Sequence, residues 1–215
     1  MASKITHFTI VSGGPVYDEA FLKTNIDLSS FIIGADSGYL KLQKAGIRID
    51  AIVADFDSAE KPALDCEMLV FPVEKDATDT FNAVKIAVER GAQSITVFFA
   101  LGGRFDHSYS NLLCLAYCKA YGVDCVLLDT QNRVSLITDK KVIQKDYNAF
   151  SLFAFLEDCK GVSIKGAYYT AGFFHRDTLD IKMSDQFAQS NYVTEDVCEI
   201  SVEKGTLLLI ESNDL

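Results

Sequence analysis

The sequence predicts an α/β fold class: an N-terminal doubly wound, mainly parallel sheet followed by a C-terminal all-β sandwich domain. Three observations predict it. Between Ile5 and Thr130, short apolar runs alternate with helix-like segments, the pattern of repeated βαβ units. Those runs are continuously apolar, as strands are when helices cover both faces of a parallel sheet. After about Gln131, short strands follow one another without intervening helices, which marks an all-β domain. The division gives residues 1–130 and 131–215, the second domain small enough to lean on a partner for burial.

Each element has a local reason. FTIVSG, SFIIGAD, AIVADFD, MLVFPV, SITVFFALGG and DCVLLDT supply the strands of the first domain, separated by stretches such as YLKLQKAG and DTFNAVKIAVERG. In the latter, Phe81, Val84 and Val88 recur at helical spacing, Thr78 is placed to cap the N-terminus, and Gly91 closes the helix. Leu112, Leu113, Ala116 and Ala120 predict a core-facing stripe on the next helix. In the second domain VSLIT, KVIQK, FSLFAFLE, GVSIKG, LDIKMS and CEISVEKGTLLLIES read as strands, with Lys204-Gly205 as a hairpin turn.

Composition narrows the function. Hydrophobic residues make up 49% of the chain and there are only 3 Pro, which excludes disordered and low-complexity classes. With 30 acidic against 20 basic side chains the net charge is −10, a field that repels a phosphate backbone and argues against general nucleic-acid binding. No apolar run reaches the ~20 residues that span a bilayer, and Met1 to Thr9 lacks a signal-peptide hydrophobic stretch. The expectation is a cytoplasmic protein with no membrane partner. In that compartment Cys66, Cys114, Cys118, Cys125, Cys159 and Cys198 read as free thiols. Cys114 and Cys118 share a helix face, but no second pair completes a zinc site.

The residues able to do chemistry fall where the strands of the first domain end. Gly13 and Gly14 follow the first strand, Asp36 the second, Asp55 and Asp57 the third, Lys75, Asp76 and Asp79 the fourth, and Gly102, Gly103, Arg104 and Asp106 the fifth. In an open parallel sheet such ends share one edge, where ligands bind. Two like charges 4 Å apart repel by about 4 kcal/mol at an effective dielectric of 20, so gathered carboxylates need a counter-charge. Oxygen ligands without paired His or Cys favour Mg²⁺, whose shell is completed by waters and substrate phosphates. A nucleotide triphosphate follows as the ligand: Gly102 and Gly103 admit phosphate close to the backbone, a helix starts near His107, and Arg104 offers a fork to phosphate oxygens. Taken singly, each feature also has a plain reading as a turn or a helix cap.

Three blocks in order and spacing resemble the thiamine pyrophosphokinase family: GADSGYLKLQKAGIRIDAIVADFDS from Gly34 to Ser58, KDATDTFNAV from Lys75 to Val84, and LGGRFDHSYSNLL from Leu101 to Leu113. The resemblance implies a nucleotide-binding catalytic domain over residues 1–130 and a thiamine-binding β-sandwich over 131–215. It implies transfer of the pyrophosphoryl group of ATP to the thiamine hydroxyl, giving thiamine diphosphate and AMP, by a homodimer with sites completed across the interface. Carried over by position, Asp55, Asp57 and Asp79 are the Mg²⁺ ligands and catalytic residues. Asp36, Lys75, Asp76, Thr78, Gly102, Gly103, Arg104, Asp106, His107 and Asn111 are the nucleotide-binding set, and Ser190, Asn191 and Tyr192 the thiamine-binding set. The chain departs from the family pattern at Ala54, where Gly is frequent, and at Tyr192, where Glu is common. It has no Trp to stack on the vitamin, which leaves Phe187, Tyr192, Phe173 and Phe174 as the available rings.

Two other readings fit parts of the sequence. DFDS after a strand also resembles the Asp-x-Asp nucleophile of haloacid-dehalogenase-type phosphatases, although it follows the third strand rather than the first. A nucleotide or thiamine-phosphate sensor would keep the site without turnover.

Overall fold

The computed structural model describes residues 5–55, 62–70, 77–186 and 188–214. Two compact units, Met1–Thr130 and Gln131–Leu215, divide the chain. The fold is mixed α/β, with a parallel sheet in the first unit and antiparallel sheets in the second.

In the first unit the order is β1 (His7–Val11), α1 (Glu19–Asn25), β2 (Phe31–Ala35), α2 (Gly38–Ala45), β3 (Ala51–Ala54), β4 (Glu67–Val70), α3 (Asp79–Glu89), β5 (Ser94–Phe98), α4 (Phe105–Ala120) and β6 (Asp124–Leu128). Its strands lie β4-β3-β2-β1-β5-β6, and every pairing is parallel. The chain therefore builds outward from β1 to β4, then returns to set β5 on the other side of β1. That reversal opens a crevice beyond the carboxyl ends of β1 and β5, the place where open parallel sheets bind ligands. Burial explains the strands: Phe8, Ile10, Val11, Ile32, Ile33, Ile52, Val53, Val97 and Phe98 are all inside. Val11, Leu22, Ile32, Leu42, Phe98 and Phe99 form one cluster between the sheet and α1 and α2.

Helix ends follow their local chemistry. Asp18 caps α1 by accepting from the Phe21 N–H, and Thr78 caps α3 in the same way, its Oγ1 accepting from the Phe81 N–H at 3.2 Å. The predicted stripe on α4 needs correction. Leu113 and Ala120 are exposed and Leu112 and Ala116 half-buried, while Asn111, Cys114, Leu115 and Cys118 form the buried face.

The second unit contains β7 (Asn132–Ile137), β8 (Lys140–Gln144), β9 (Ala149–Ala154), β10 (Cys159–Lys165), a 3₁₀ turn at Gly172–Phe174, β11 (Leu179–Ile181), β12 (Val197–Ser201) and β13 (Leu207–Ser212). One sheet runs β7-β13-β9 and another β11-β10-β12-β8, both antiparallel. Alternate residues of β9 are buried, and Phe150, Leu152, Leu207 and Leu209 join Ile164, Leu179, Cys198 and Ile200 in one core. The predicted hairpin at Lys204-Gly205 is not formed. β12 pairs with β8 and β10, whereas β13 pairs with β7 and β9, so the turn carries the chain from one sheet to the other. Gly205, at φ 103°, is packed against the backbone of Asp158 and Cys159, where a side chain has no room.

Candidate active site

A cavity of about 340 Å³ lies at the crevice described above. The loop after β1 lines it with Ser12, Gly13, Gly14 and Pro15, and β2 contributes Asp36 from its carboxyl end. Thr78, Asp79 and Thr80 enter from the first turn of α3; Ala100 and Gly102 enter from the loop after β5, with Arg104, His107 and Asn111 at and beyond the start of α4.

Glycine is required where these segments meet. A Cβ at Gly13 would overlap the Asp36 carboxylate and the Ser37 hydroxyl, and one at Gly14 would overlap the carbonyl of Phe99. Asp36 itself sits in the left-handed region at φ 51°, a conformation Asp tolerates better than most residues. Its backbone N–H donates to Val53 O at 2.9 Å, which anchors the carboxylate at the rim.

The other predicted nucleotide residues differ in what occupies them. Asn111 is buried and its Nδ2 donates to Ala100 O at 2.6 Å, tying α4 to the loop before it. Asp106 accepts from Arg104 Nε at 3.1 Å and Nη2 at 2.5 Å, and from the His107 N–H at 3.0 Å. The Arg104 guanidinium holds the Asp106 carboxyl down at about 2, and the pair in turn raises the arginine. Asp106 therefore orients Arg104, which lines the cavity, while Asp106 and Gly103 do not. Gly103 lies beside Pro15 instead.

Asp55 directly follows β3, on which α3 packs, and is not part of the cavity lining. Asp57, Lys75 and Asp76 lie outside the described residues, as does Phe187. Among the described residues no three His, Cys, Asp or Glu side chains gather closely enough to hold a metal ion. The cavity does present two carboxylates, Asp36 and Asp79, beside the hydroxyls of Ser12, Thr78 and Thr80, with no thiol. This oxygen-rich donor set fits a hard cation that takes one or two carboxylates and leaves the rest of its shell to water and phosphate.

In the second unit Ser190, Asn191 and Tyr192 lie beside an aromatic cluster. Tyr192 stacks on Tyr168, ring centroids 5.0 Å apart and planes 17° from parallel, and Phe173 contacts both Tyr168 and Tyr169. Tyr168, Phe173 and Tyr192 are 47%, 50% and 42% exposed, so the rings present an open surface. Asn191 is buried beneath them. Its Oδ1 accepts from the N–H groups of Tyr169 and Tyr192, both at 2.9 Å, and its Nδ2 donates to Tyr169 O at 2.8 Å. Its amide thus ties together the two segments that carry Tyr169 and Tyr192, while Ser190 is exposed at φ 56°.

A thiamine pyrophosphokinase of Bacillus subtilis is 30% identical to this chain over 218 residues, spanning 95% of it and 98% of the relative. This chain belongs to the thiamine pyrophosphokinase family. The family's catalytic-domain model matches residues 22–127. The crystal structure of thiamine pyrophosphokinase from Bacillus subtilis superposes with a TM-score of 0.86 at 27% identity, covering 97% of this chain and all of the other. That of thiamin pyrophosphokinase from Geobacillus thermodenitrificans gives 0.83 at 26% identity, with 97% and 98% coverage.

Four residues that line the cavity of this family member were not singled out by sequence, Ser12, Pro15, Thr80 and Ala100, nor was Lys41, which bonds the loop after β1. Ser12 and Thr80 are short hydroxyl residues at strand and helix ends, indistinguishable by type from ordinary caps. Lys41 had a usable signal. It falls among Gly38, Leu42 and Ala45 on the buried face of α2, where a charged residue needs a reason.

Proposed function

We propose that this chain transfers the pyrophosphoryl group of ATP to the hydroxyl of thiamine, forming thiamine diphosphate and AMP. The observation that carries the reading is the cavity at the β1–β5 crevice of a family member, where Asp36 and Asp79 face glycine-rich loops and Arg104. The donor and acceptor roles follow from chemistry. The thiamine hydroxyl oxygen bonds to the β-phosphorus of ATP, the bond from that phosphorus to the oxygen of AMP breaks, and the hydroxyl proton leaves to a base. Such transfers depend on positioning and charge stabilisation more than on covalent work by the protein.

The loop from Ser12 to Pro15 and the loop through Gly102 give phosphate oxygens close access to backbone, and Arg104, oriented by Asp106, neutralises charge on them. Asp55, Asp57 and Asp79 are proposed as the carboxylates that hold Mg²⁺, with Asp36 and Asp76 close by. Held there, Mg²⁺ would supply positive charge to the phosphate oxygens. One of Asp57 and Asp79 accepts the hydroxyl proton. Lys75, Thr78, Gly103, His107 and Asn111 complete the nucleotide set. We read the first unit as doubly wound and catalytic and the second as a β-sandwich that binds thiamine through Ser190, Asn191 and Tyr192, the open rings around Tyr192 serving the cationic thiazolium.

A cytoplasmic homodimer with sites completed across the interface belongs to the same proposal. Among the described residues no helix is long and apolar enough to cross a membrane. Incubation with ATP, Mg²⁺ and thiamine tests the function. AMP and thiamine diphosphate in equal amounts support it; free phosphate would instead indicate a phosphatase, and binding without turnover a sensor. Elution as a monomer in sizing chromatography would overturn the dimer.

A further inference from the structure

Helix α2 places one ammonium group beneath the loop that follows β1. Lys41 Nζ donates to the carbonyl oxygens of Ser12 at 2.9 Å, of Gly14, and of Val16 at 3.2 Å. It also lies 5.1 Å from the centroid of the Phe99 ring. An ammonium carries three protons, and each has an acceptor here. Burial pulls Lys41 down to about 8, an effect the Asp36 carboxylate opposes, so the charged form predominates at neutral pH.

The side that Lys41 grips is not the side that faces the cavity. Ser12, Gly13, Gly14 and Pro15 line the cavity and Lys41 does not. A trans peptide is planar, with its N–H and C=O on opposite edges, and among the described residues no peptide bond is cis. Turning the Ser12 carbonyl toward Lys41 therefore turns the Gly13 N–H away from it. Among the described residues the Gly13 N–H has no acceptor within the protein. Glycine is required at this position, because a Cβ at Gly13 would overlap the Asp36 carboxylate and the Ser37 hydroxyl. Exposed amides in glycine-rich turns are donors suited to anionic oxygens.

We propose that Lys41 is a positioning residue: by holding the carbonyls of Ser12, Gly14 and Val16 on one side of the loop, it presents the Gly13 amide to the polyphosphate of the nucleotide. The inference rests on the reading that this cavity takes ATP, and it adds the group that sets the loop's polarity. Lys41 touches neither substrate; it acts through the backbone.

The test is Lys41→Met, which keeps the aliphatic stem and removes the donors, alongside Lys41→Arg. KM for ATP and for thiamine are measured separately, the Kd for Mg·ATP by calorimetry, and the Gly13 amide by ¹⁵N NMR of the intact protein. The expected result is a rise of about tenfold or more in both KM and Kd for ATP, KM for thiamine within about twofold of the parent, and partial recovery in Lys41→Arg. The Gly13 resonance of the parent protein shifts on adding ATP or inorganic pyrophosphate. Equal changes for both substrates, no change for ATP, or an unmoved Gly13 resonance would overturn the proposal; if Lys41→Met does not fold, the Gly13 resonance decides. A chain that binds ATP in a Lys41-dependent way but makes no thiamine diphosphate would keep this inference and lose the proposed function. One that makes thiamine diphosphate with an unaltered KM for ATP in Lys41→Met would do the reverse.

Discussion

Ser12 Oγ lies 2.8 Å from Thr80 Oγ1, a buried hydroxyl pair that joins the end of β1 to the first turn of α3. Thr80 is adjacent to Asp79, so the pair fixes a candidate carboxylate relative to the glycine loop. Thr80→Val leaves the Ser12 hydroxyl buried without this partner and should cost about 1–2 kcal/mol in urea unfolding. Combined with Ser12→Ala, the loss should fall short of the sum by about 0.5–1 kcal/mol. Strict additivity would show that the hydroxyls do not interact.

Gly14 and Gly46 make a matched contrast. Gly14→Ala drives a methyl into the carbonyl of Phe99 and should destabilise by about 2–4 kcal/mol. Gly46, at φ 66° with open space around its Cβ, carries only the left-handed backbone penalty, so Gly46→Ala should cost about 1–2 kcal/mol. Thermal unfolding of the two variants gives the comparison, and the order Gly14 above Gly46 is the prediction.

Asp79→Asn and Asp57→Asn keep side-chain size and remove charge. Both should retain the native circular dichroism spectrum and lose about 100-fold or more in AMP formation. Chelation of Mg²⁺ should have a similar effect on the parent protein. A near-normal rate in Asp57→Asn would remove that residue from the metal site.

Asn191→Ala strips the Tyr169 and Tyr192 N–H groups of their shared acceptor. The expected cost is about 2–4 kcal/mol, because three hydrogen bonds made by one buried side chain are lost together. The stack of Tyr192 on Tyr168 should loosen, visible in near-ultraviolet circular dichroism, and KM for thiamine should rise more than KM for ATP. A raised KM for ATP alone would contradict the assignment of this segment to the acceptor.

Burial pushes the Cys114 and Cys198 thiols from an ordinary 9.0 up to about 12. The folded state then keeps protons between about 9 and 12 that the unfolded chain releases, so the stability they contribute is complete below about 9 and declines as pH rises toward 12. Lys41, lowered to about 8, offsets part of this by gaining stability as pH rises above about 8, so the net fall in Tm beyond about pH 9 should be shallower in Cys114→Ala and Cys198→Ala than in the parent. An unchanged slope in both variants would assign the decline to other groups.

The first unit was legible because β3 (Ala51–Ala54) is buried along its whole length and β2 (Phe31–Ala35) at all but its first residue, leaving an unbroken apolar signature. Helix α4 was misread at Leu113 and Ala120 because it bears apolar residues around much of its circumference, Tyr109 and Tyr121 included, so spacing alone did not select the inner face. Lys204-Gly205 failed for another reason: turn chemistry reports a local bend, while the sheet each flanking strand joins is decided by contacts far along the chain. At the site, Asp36, Asp79 and Arg104 were readable from their places after strands or at helix starts. Thr80 was not, since its role depends on the hydroxyl the fold brings beside it, and the place of Lys41 on a buried helix face signalled a partner without naming the carbonyls it binds.

The return of β5 to the flank of β1 has a temporal side. His7 pairs with Ser94, 87 positions away, and their strands form the seam at which the crevice opens. A nascent polypeptide that has emerged only as far as β4 owns half of that seam. The crevice is completed late, when a long-range closure with its entropic toll sets β5 beside β1.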